Sequence, residues 1–234
     1  MKILNKGFNY SQDGPGNRLV YHLQGCNFSC KWCSNADSIP FDNPKAKEFS
    51  VIDIFDEIIR SRAMFFDGGG VTFTGGEVCV QSDELIELLI MLKNEGIHTC
   101  IETNCSVPAV RNVAEYVDYL ICDFKHYDDE CHKKWIGASN KGVKDNIEYF
   151  LSSGRQIHIR IPVINGINSD PNGFADYFKS LKTSNAVFEF LAYHEFGKDK
   201  WQGRYEIENG FVTADIIKQF IFIFEKNGFK TVAT

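Results

Sequence analysis

The sequence predicts an α/β fold, a parallel sheet with helices outside it, either doubly wound or an incomplete barrel. Two observations carry the fold class. Strand-like and helix-like segments alternate about six times along the chain. The helical segments are long enough to be crossovers between parallel strands. A third observation concerns placement: polar and thiol residues gather at successive strand ends, where such folds bind ligands.

The elements follow in order. Residues 2–10 form a leading strand, and Gln12-Asp13-Gly14-Pro15-Gly16-Asn17-Arg18 makes a tight turn. Arg18 to Gly25 is a strand that delivers the chain to a cysteine loop, and residues 40–47 are a polar connector. Ser50 caps a helix over about 51–62, with Ile54, Phe55, Ile58 and Ile59 as its apolar stripe. Val71 to Thr74 is a strand ending at Gly75-Gly76-Glu77; Ser82 caps the next helix, and Gly96 stops it. Thr99 to Thr103 is a strand, Ser106 and Pro108 open a helix toward Tyr116, and Tyr119 to Phe124 is another strand. A helix over about 142–152 leads into the strand Gln156 to Val163. Asp170 and Pro171 start a helix with Phe174, Tyr177, Phe178 and Leu181 on one face. Val187 to Ala192 is the sixth strand, and a helix over 213–226 closes the chain before Asn227-Gly228.

With 234 residues, no internal repeat and no dividing linker, one domain over 1–234 is expected. Hydrophobic content of 44% and charged content of 24% are ordinary for a globular protein, and 20 Phe imply an aromatic-rich interior. A net charge of −6 argues against nucleic acid or an anionic membrane as partner. No apolar run reaches the roughly 18 residues of a membrane span, and the N-terminus lacks a signal-peptide core. A cytoplasmic location is expected, where clustered cysteines mean metal or catalysis rather than disulfides.

Cys26, Cys30 and Cys33 fall within eight residues, in a C-x3-C-x2-C pattern. A four-iron, four-sulfide cube is normally held by four thiolates, so three local ligands leave one iron for a non-protein ligand. Structural zinc is the alternative, though it is usually closed by paired C-x2-C or C-x2-C with H-x3-H ligands, and no second C-x2-C exists here. Core packing of cysteines is the third reading. An open iron favours a chelating amino group and carboxylate. Gly75 and Gly76 would let backbone approach such a ligand, and Glu77 could accept from its ammonium. Read alone, Gly-Gly-Glu is a strand-to-helix turn.

Together these residues resemble the radical S-adenosylmethionine enzymes, and among them the activating enzymes of glycyl radical enzymes. The resemblance rests on the cysteine triplet, on Gly75-Gly76-Glu77, and on Ser11 to Arg18 ahead of Gln24-Gly25-Cys26. It continues through Asp123-Phe124-Lys125, Gly137-Ala138-Ser139-Asn140, Arg160-Ile161-Pro162 and Tyr193 to Trp201, from about residue 6 to 203. It implies an incomplete (β/α)6 barrel in which Cys26, Cys30 and Cys33 hold one [4Fe–4S] cluster. The fourth iron would be chelated by S-adenosylmethionine, whose reductive cleavage gives a 5′-deoxyadenosyl radical that takes hydrogen from a glycine of a partner enzyme.

By the same resemblance, Gly75, Gly76 and Glu77 contact the methionyl ammonium, and Lys125 the methionyl carboxylate region. Asp123 and His194 hold the ribose, and Trp32 and Asn35 lie where relatives contact adenine. Glu102 and Thr103 replace an Asp-Thr pair that helps bind a monovalent cation, with Glu one methylene longer. Asp13 and Arg160 match residues that grip the partner's glycine loop, while Ser34 stands in place of a histidine there. Taken singly, Lys125 and His194 read as solvated surface residues. Asp13 and Arg18 read as a turn-spanning ion pair of little energetic weight. Cys79, Cys105 and Cys131 read as packing thiols. The expected partners are a glycyl radical enzyme and flavodoxin or ferredoxin as electron donor, with the chain itself a monomer. The competing functions are a radical enzyme acting on a small molecule, such as a deazaguanine synthase, and a non-enzymatic zinc or iron–sulfur module.

Overall fold

Nine strands alternate with seven helices through the described residues of the computed structural model, which are 1–201, 203 and 205–232. They divide into two compact units. The first holds Met1–Asn27, Asp37–Thr103 and Val107–Ile121, and the second Phe28–Ala36, Asn104–Ser106 and Cys122–Thr234.

In the first unit, β1 (Lys2–Tyr10) and β2 (Asn17–Leu23) form an antiparallel hairpin, with Tyr10 opposite Asn17. β3 (Lys47–Glu48) pairs antiparallel on the free side of β1. β4 (Gly70–Gly75) lies parallel to β2, and β5 (Thr99–Thr103) parallel to β4, so the order is β3-β1-β2-β4-β5. Helices α1 (Val51–Arg60), α2 (Ser82–Asn94) and α3 (Val110–Ala114) make the connections, and β6 (Tyr119–Asp123) begins here. In the second unit come α4 (Asp129–Ile136), α5 (Lys141–Ser153), β7 (Ile157–Val163), α6 (Pro171–Lys179), β8 (Ala186–Ala192), α7 (Ala214–Lys226) and β9 (Thr231–Val232). There β7, β8 and β9 are parallel neighbours. Parallel strands buried on both faces usually read as near-continuous apolar runs, but β7, almost wholly buried, alternates Ile157, Ile159 and Ile161 with His158 and Arg160. The strand order is linear, so the strands of neither unit close on themselves into a barrel.

The abundant phenylalanines have a definite place. In the second unit Phe178, Phe188, Phe190, Phe220 and Phe224 are buried and meet edge to face or tilted, with Phe178–Phe188 and Phe190–Phe224 centroids 4.8 Å apart. The core therefore forms where α6 and α7 pack on the Phe188 and Phe190 face of β8.

Side-chain caps start three of the seven helices, α1, α4 and α6. Ser50 accepts from Asp53 N at 3.1 Å while Asp53 accepts from Ser50 N at 3.3 Å, a reciprocal capping box. Ser50→Ala is expected to cost about 1 kcal/mol, read from the denaturant midpoint. Ser82, expected as a cap, is instead the first residue of α2. The turn Val78–Gln81 precedes it, capped by Glu77 rather than by a serine. Asp170 caps α6 with Pro171 at its first position, as expected. Helix α4 was not anticipated; Asp128 caps it and Gly137, at φ +82°, ends it. Among the described residues no helix is long and apolar enough to cross a membrane.

Candidate functional site

In the first unit, the strand ends β2 and β4 are joined backbone to backbone. Gly76 N donates to Leu23 O at 2.9 Å and Glu77 N to Gly25 O at 2.8 Å. A side chain at Gly76 would stand 2.1 Å from Gly25 O, and one at Gly75, already at φ +107°, 2.5 Å from Leu23 N. The two glycines are thus demanded by the chain itself: Gly75-Gly76-Glu77 and Gln24-Gly25-Cys26 lie too close for a Cβ between them. Gly25 N and Cys26 N then donate to Ser38 O and Ile39 O at 2.8 and 3.0 Å, which fixes the backbone from which Cys26 projects.

Glu77 is fully buried, and its Oε1 accepts from Cys79 N at 3.0 Å and Thr103 Oγ1 at 2.7 Å. Glu102 Oε2 accepts from Thr74 Oγ1 at 2.8 Å. Glu102 and Thr103 are consecutive on β5, so their side chains point to opposite faces of the sheet. The structure brings Thr103 to Glu77 and Glu102 to Thr74.

The turn carrying Asp13 is held from below. Thr72 Oγ1 donates to Asp13 O at 2.7 Å and accepts from Arg18 Nε at 2.6 Å, while Arg18 Nη1 donates to Pro15 O at 3.0 Å. Arg18 is wholly buried, and burial holds its guanidinium below the usual range despite negative groups at Cys100, Asp118, Asp13 and Glu102. The expected Asp13–Arg18 surface pair does not form. The Asp13 carboxylate accepts from Asn9 Nδ2 at 2.5 Å instead.

In the second unit the cysteine loop is braced on two sides. Ser29 N donates to Ile136 O and Lys31 N to Trp135 O, both at 2.9 Å, so the loop is zipped to the end of α4. Gly137 cannot carry a side chain, because its Cβ would stand 2.2 Å from Ser29 Oγ. The segment after β8 straps the other side. Trp201 Nε1 donates to Cys33 O at 3.1 Å, Lys200 Nζ to Asn35 Oδ1 at 3.2 Å, and Gly197 presses so closely on Ser34 that a Cβ would lie 2.4 Å from its Cα. Gly137-Ala138-Ser139-Asn140 and Tyr193 to Trp201 therefore serve the loop, at least in part, as architecture.

Cys33 N donates to Cys30 O at 3.1 Å, which places these cysteines at the two ends of a tight turn. Burial pushes the Cys33 thiol up, against the Asn35 backbone N–H and the Lys125 and Lys200 ammonium groups, which favour the thiolate. Lys125 donates to Asp123 Oδ2 at 2.7 Å and keeps 12% side-chain exposure. Burial works to lower its ammonium, but Asp123, Cys30 and Cys33 outweigh that and the net shift is upward. An ammonium so held is a fixed positive charge beside two thiols. Trp32, within the same turn, is buried at 8% exposure.

Arg160 on β7 donates its Nε–H to Glu189 Oε2 at 2.7 Å. His194, half-buried, stacks on Phe196 with centroids 4.4 Å apart, and burial lowers its pKa. Phe196 itself is 86% exposed. Cys105 and Cys122, both fully buried, face each other with Sγ atoms 3.2 Å apart, and neither is near the triplet in sequence. Among the described residues no three His, Cys, Asp or Glu side chains are grouped as around one metal ion. A four-iron cube makes no such demand, since its thiolates bind different irons. In the second unit, the thiols of Cys30 and Cys33 at the ends of one turn, with a buried ammonium beside them, are donors of the kind such a group takes. Sequence reasoning passed over Glu189 and the strap's contacts with Cys33 to Asn35. The signal for Glu189 was a lone carboxylate between apolar strand residues.

Comparison with known proteins agrees with this geometry. The Radical SAM superfamily profile matches residues 20–178. A pyruvate formate-lyase-activating enzyme of Streptococcus mutans is 34% identical over 205 residues, covering 82% of this chain and 77% of the relative. The pyruvate formate-lyase 1-activating enzyme of Escherichia coli K12 is 33% identical over 197 residues, covering 81% and 79%. Among solved structures, a domain of pyruvate-formate lyase-activating enzyme from Bacteroides vulgatus superposes with a TM-score of 0.60 at 27% identity, covering 71% of this chain and 99% of that one. With its profile match spanning more than half the sequence, and relatives this similar over four fifths of it, the chain belongs to the radical S-adenosylmethionine superfamily.

Proposed function

We propose that this protein is an activating enzyme for a glycyl radical enzyme, the activity named for its relatives. The observation that carries the proposal is the braced cysteine loop, with Cys30 and Cys33 at the ends of one turn and the Lys125 ammonium beside them. In this reading Cys26, Cys30 and Cys33 hold a [4Fe–4S] cluster. Gly75, Gly76, Glu77, Asp123, Lys125 and His194 receive S-adenosylmethionine, with Trp32 and Asn35 toward its adenine. When bound, these groups supply one-electron cleavage of the sulfonium and a 5′-deoxyadenosyl radical that removes hydrogen from a glycine. The chain's own residues bind, orient and exclude water. Fixed positive charge at Lys125 favours thiolates at Cys30 and Cys33 and would meet a carboxylate. Glu77, already accepting two hydrogen bonds on Oε1, is an oriented carboxylate for an ammonium. Asp13, Ser34 and Arg160 meet the partner's glycine loop, and the rigid Arg18–Thr72 support supplies the fixed geometry that Asp13 needs.

A monovalent cation at Glu102 and Thr103 belongs to the same proposal, and exchanging potassium for tetramethylammonium in the assay tests it. We place the protein in the cytoplasm as a monomer, reduced by flavodoxin or ferredoxin. The deciding experiment is anaerobic reconstitution followed by dithionite and S-adenosylmethionine, with and without pyruvate formate-lyase and any large enzyme that co-purifies. The expected result is 5′-deoxyadenosine together with a glycyl-radical EPR doublet that needs both partner and nucleotide. Intact S-adenosylmethionine would leave only a metal-binding module, and turnover of a small molecule without a protein partner would support the deazaguanine-synthase-like alternative.

A further inference from the structure

Strands β7 and β8 run parallel and in register, with Arg160 directly opposite Glu189 and His158 opposite Val187. Alternation places His158, Arg160 and Glu189 on one face of this pair of strands. Phe188 and Phe190 point to the other, into the aromatic core with Phe178 and Phe224. One face of the sheet is therefore apolar and the opposite face carries a buried ionic cluster: His158, Arg160 and Glu189 are only 8%, 8% and 7% exposed. Glu189 Oε2 accepts from Arg160 Nε at 2.7 Å and lies 3.1 Å from His158 Nε2. Burial works to raise the Glu189 carboxyl, but His158 and Arg160 beside it outweigh that and the net shift is downward.

Such a cluster is a poor way to gain stability, because apolar side chains of similar volume would pack there at equal or lower free energy. It is a good way to fix a guanidinium. The Arg160 main chain is set by Phe124 N, which donates to Arg160 O at 2.8 Å from between Asp123 and Lys125. Anchoring Nε then fixes the plane of the guanidinium, whose five donors form a rigid fork. We propose that Glu189, with His158 Nε2 close to its carboxylate, is a positioning residue that sets Arg160 for the partner's glycine-bearing loop. The inference rests on the proposed role of Arg160, and Glu189 itself touches neither substrate nor cofactor in it.

A double-mutant cycle on Arg160→Ala and Glu189→Ala tests it, with pyruvate formate-lyase as the probe and glycyl radical yield as one readout. Partner-free 5′-deoxyadenosine formation is the other, and thermal midpoints report folding. Glu189→Ala is expected to raise KM for the partner about tenfold to a hundredfold. Partner-free cleavage should stay at the wild-type rate, and no further loss should appear once Arg160 is already Ala. Glu189→Gln, which keeps the shape and an acceptor oxygen, should restore most of the affinity. If Arg160→Ala weakens activation but the two losses multiply, Glu189 does not act through Arg160 and the inference fails while the role of Arg160 stands. If Arg160→Ala leaves activation unchanged, or changes partner-free cleavage instead, the role of Arg160 fails and the inference with it. If neither Glu189 variant folds, the residue is structural and the inference is overturned.

Discussion

Replacing any one of Cys26, Cys30 or Cys33 with Ala is expected to abolish the visible absorbance of the reconstituted cluster and to reduce 5′-deoxyadenosine formation to background. In the proposed assignment each thiolate would be the sole protein ligand of its iron, so two remaining thiols could not hold the cube. The three positions are not redundant in this structure. Cys26 is set by hydrogen bonds of Gly25 and Cys26 to Ser38 and Ile39, whereas Cys30 and Cys33 are set by their shared turn and its braces. Cys105 and Cys122 are fully buried, with their Sγ atoms 3.2 Å apart. Cys105→Ala is therefore the control, expected to leave iron content, sulfide content and nucleotide cleavage at wild-type levels. Loss of the cluster in that variant would overturn the ligand assignment.

How much of this could be read from the residues alone depended on whether the signal was local. Strands β2, β4, β5, β7 and β8 announce themselves as runs of branched and aromatic residues between turn signals, and α1 and α6 by Ser50 and by Asp170-Pro171. The missed elements lack such signals. β3 and β9 are two residues each, formed only because a neighbouring strand offers its edge. Helix α4, Asp-Glu-Cys-His-Lys-Lys-Trp-Ile, buries only His132 and Ile136, too few apolar positions to show a period; its caps Asp128 and Gly137 were the readable signs. The same division runs through the site. Cys26, Cys30 and Cys33 were legible because their spacing is local. The contacts that brace them, Trp135 to Gly137 and Gly197 to Trp201, come from more than a hundred residues away in sequence. Arg18 shows the limit best: it reads as half of a weak ion pair with Asp13 across the turn, yet it lies wholly buried beneath that turn.

Gly76→Ala is expected to be the most damaging substitution outside the cysteines, because the glycine is required by protein packing before any ligand arrives. The new Cβ would meet Gly25 O at 2.1 Å and Gly25 C at 2.7 Å, both backbone atoms that no rotamer change can move. Relief must come from separating the ends of β2 and β4, which breaks the bonds from Gly76 N to Leu23 O and from Glu77 N to Gly25 O. Overpacking of this kind costs about 1–3 kcal/mol, a drop that thermal or denaturant unfolding will register. The displacement falls on Gly25, the residue before Cys26, and on Glu77, whose Oε1 bonds to Cys79 N and Thr103 Oγ1 hold it in place. Two consequences follow that a purely ligand-facing glycine would not produce. Stability should fall in the protein without cluster or nucleotide, and iron incorporation should fall along with nucleotide affinity. Gly96→Ala serves as the comparison: unlike Gly76, this glycine has a positive φ, +65°, but nothing lies within 4 Å of its Cβ. Backbone strain alone should then cost it about 1 kcal/mol and leave the cluster intact. If Gly76→Ala proved as stable as wild type and lost only nucleotide binding, the close approach of the two strand ends would not be the reason for glycine at this position.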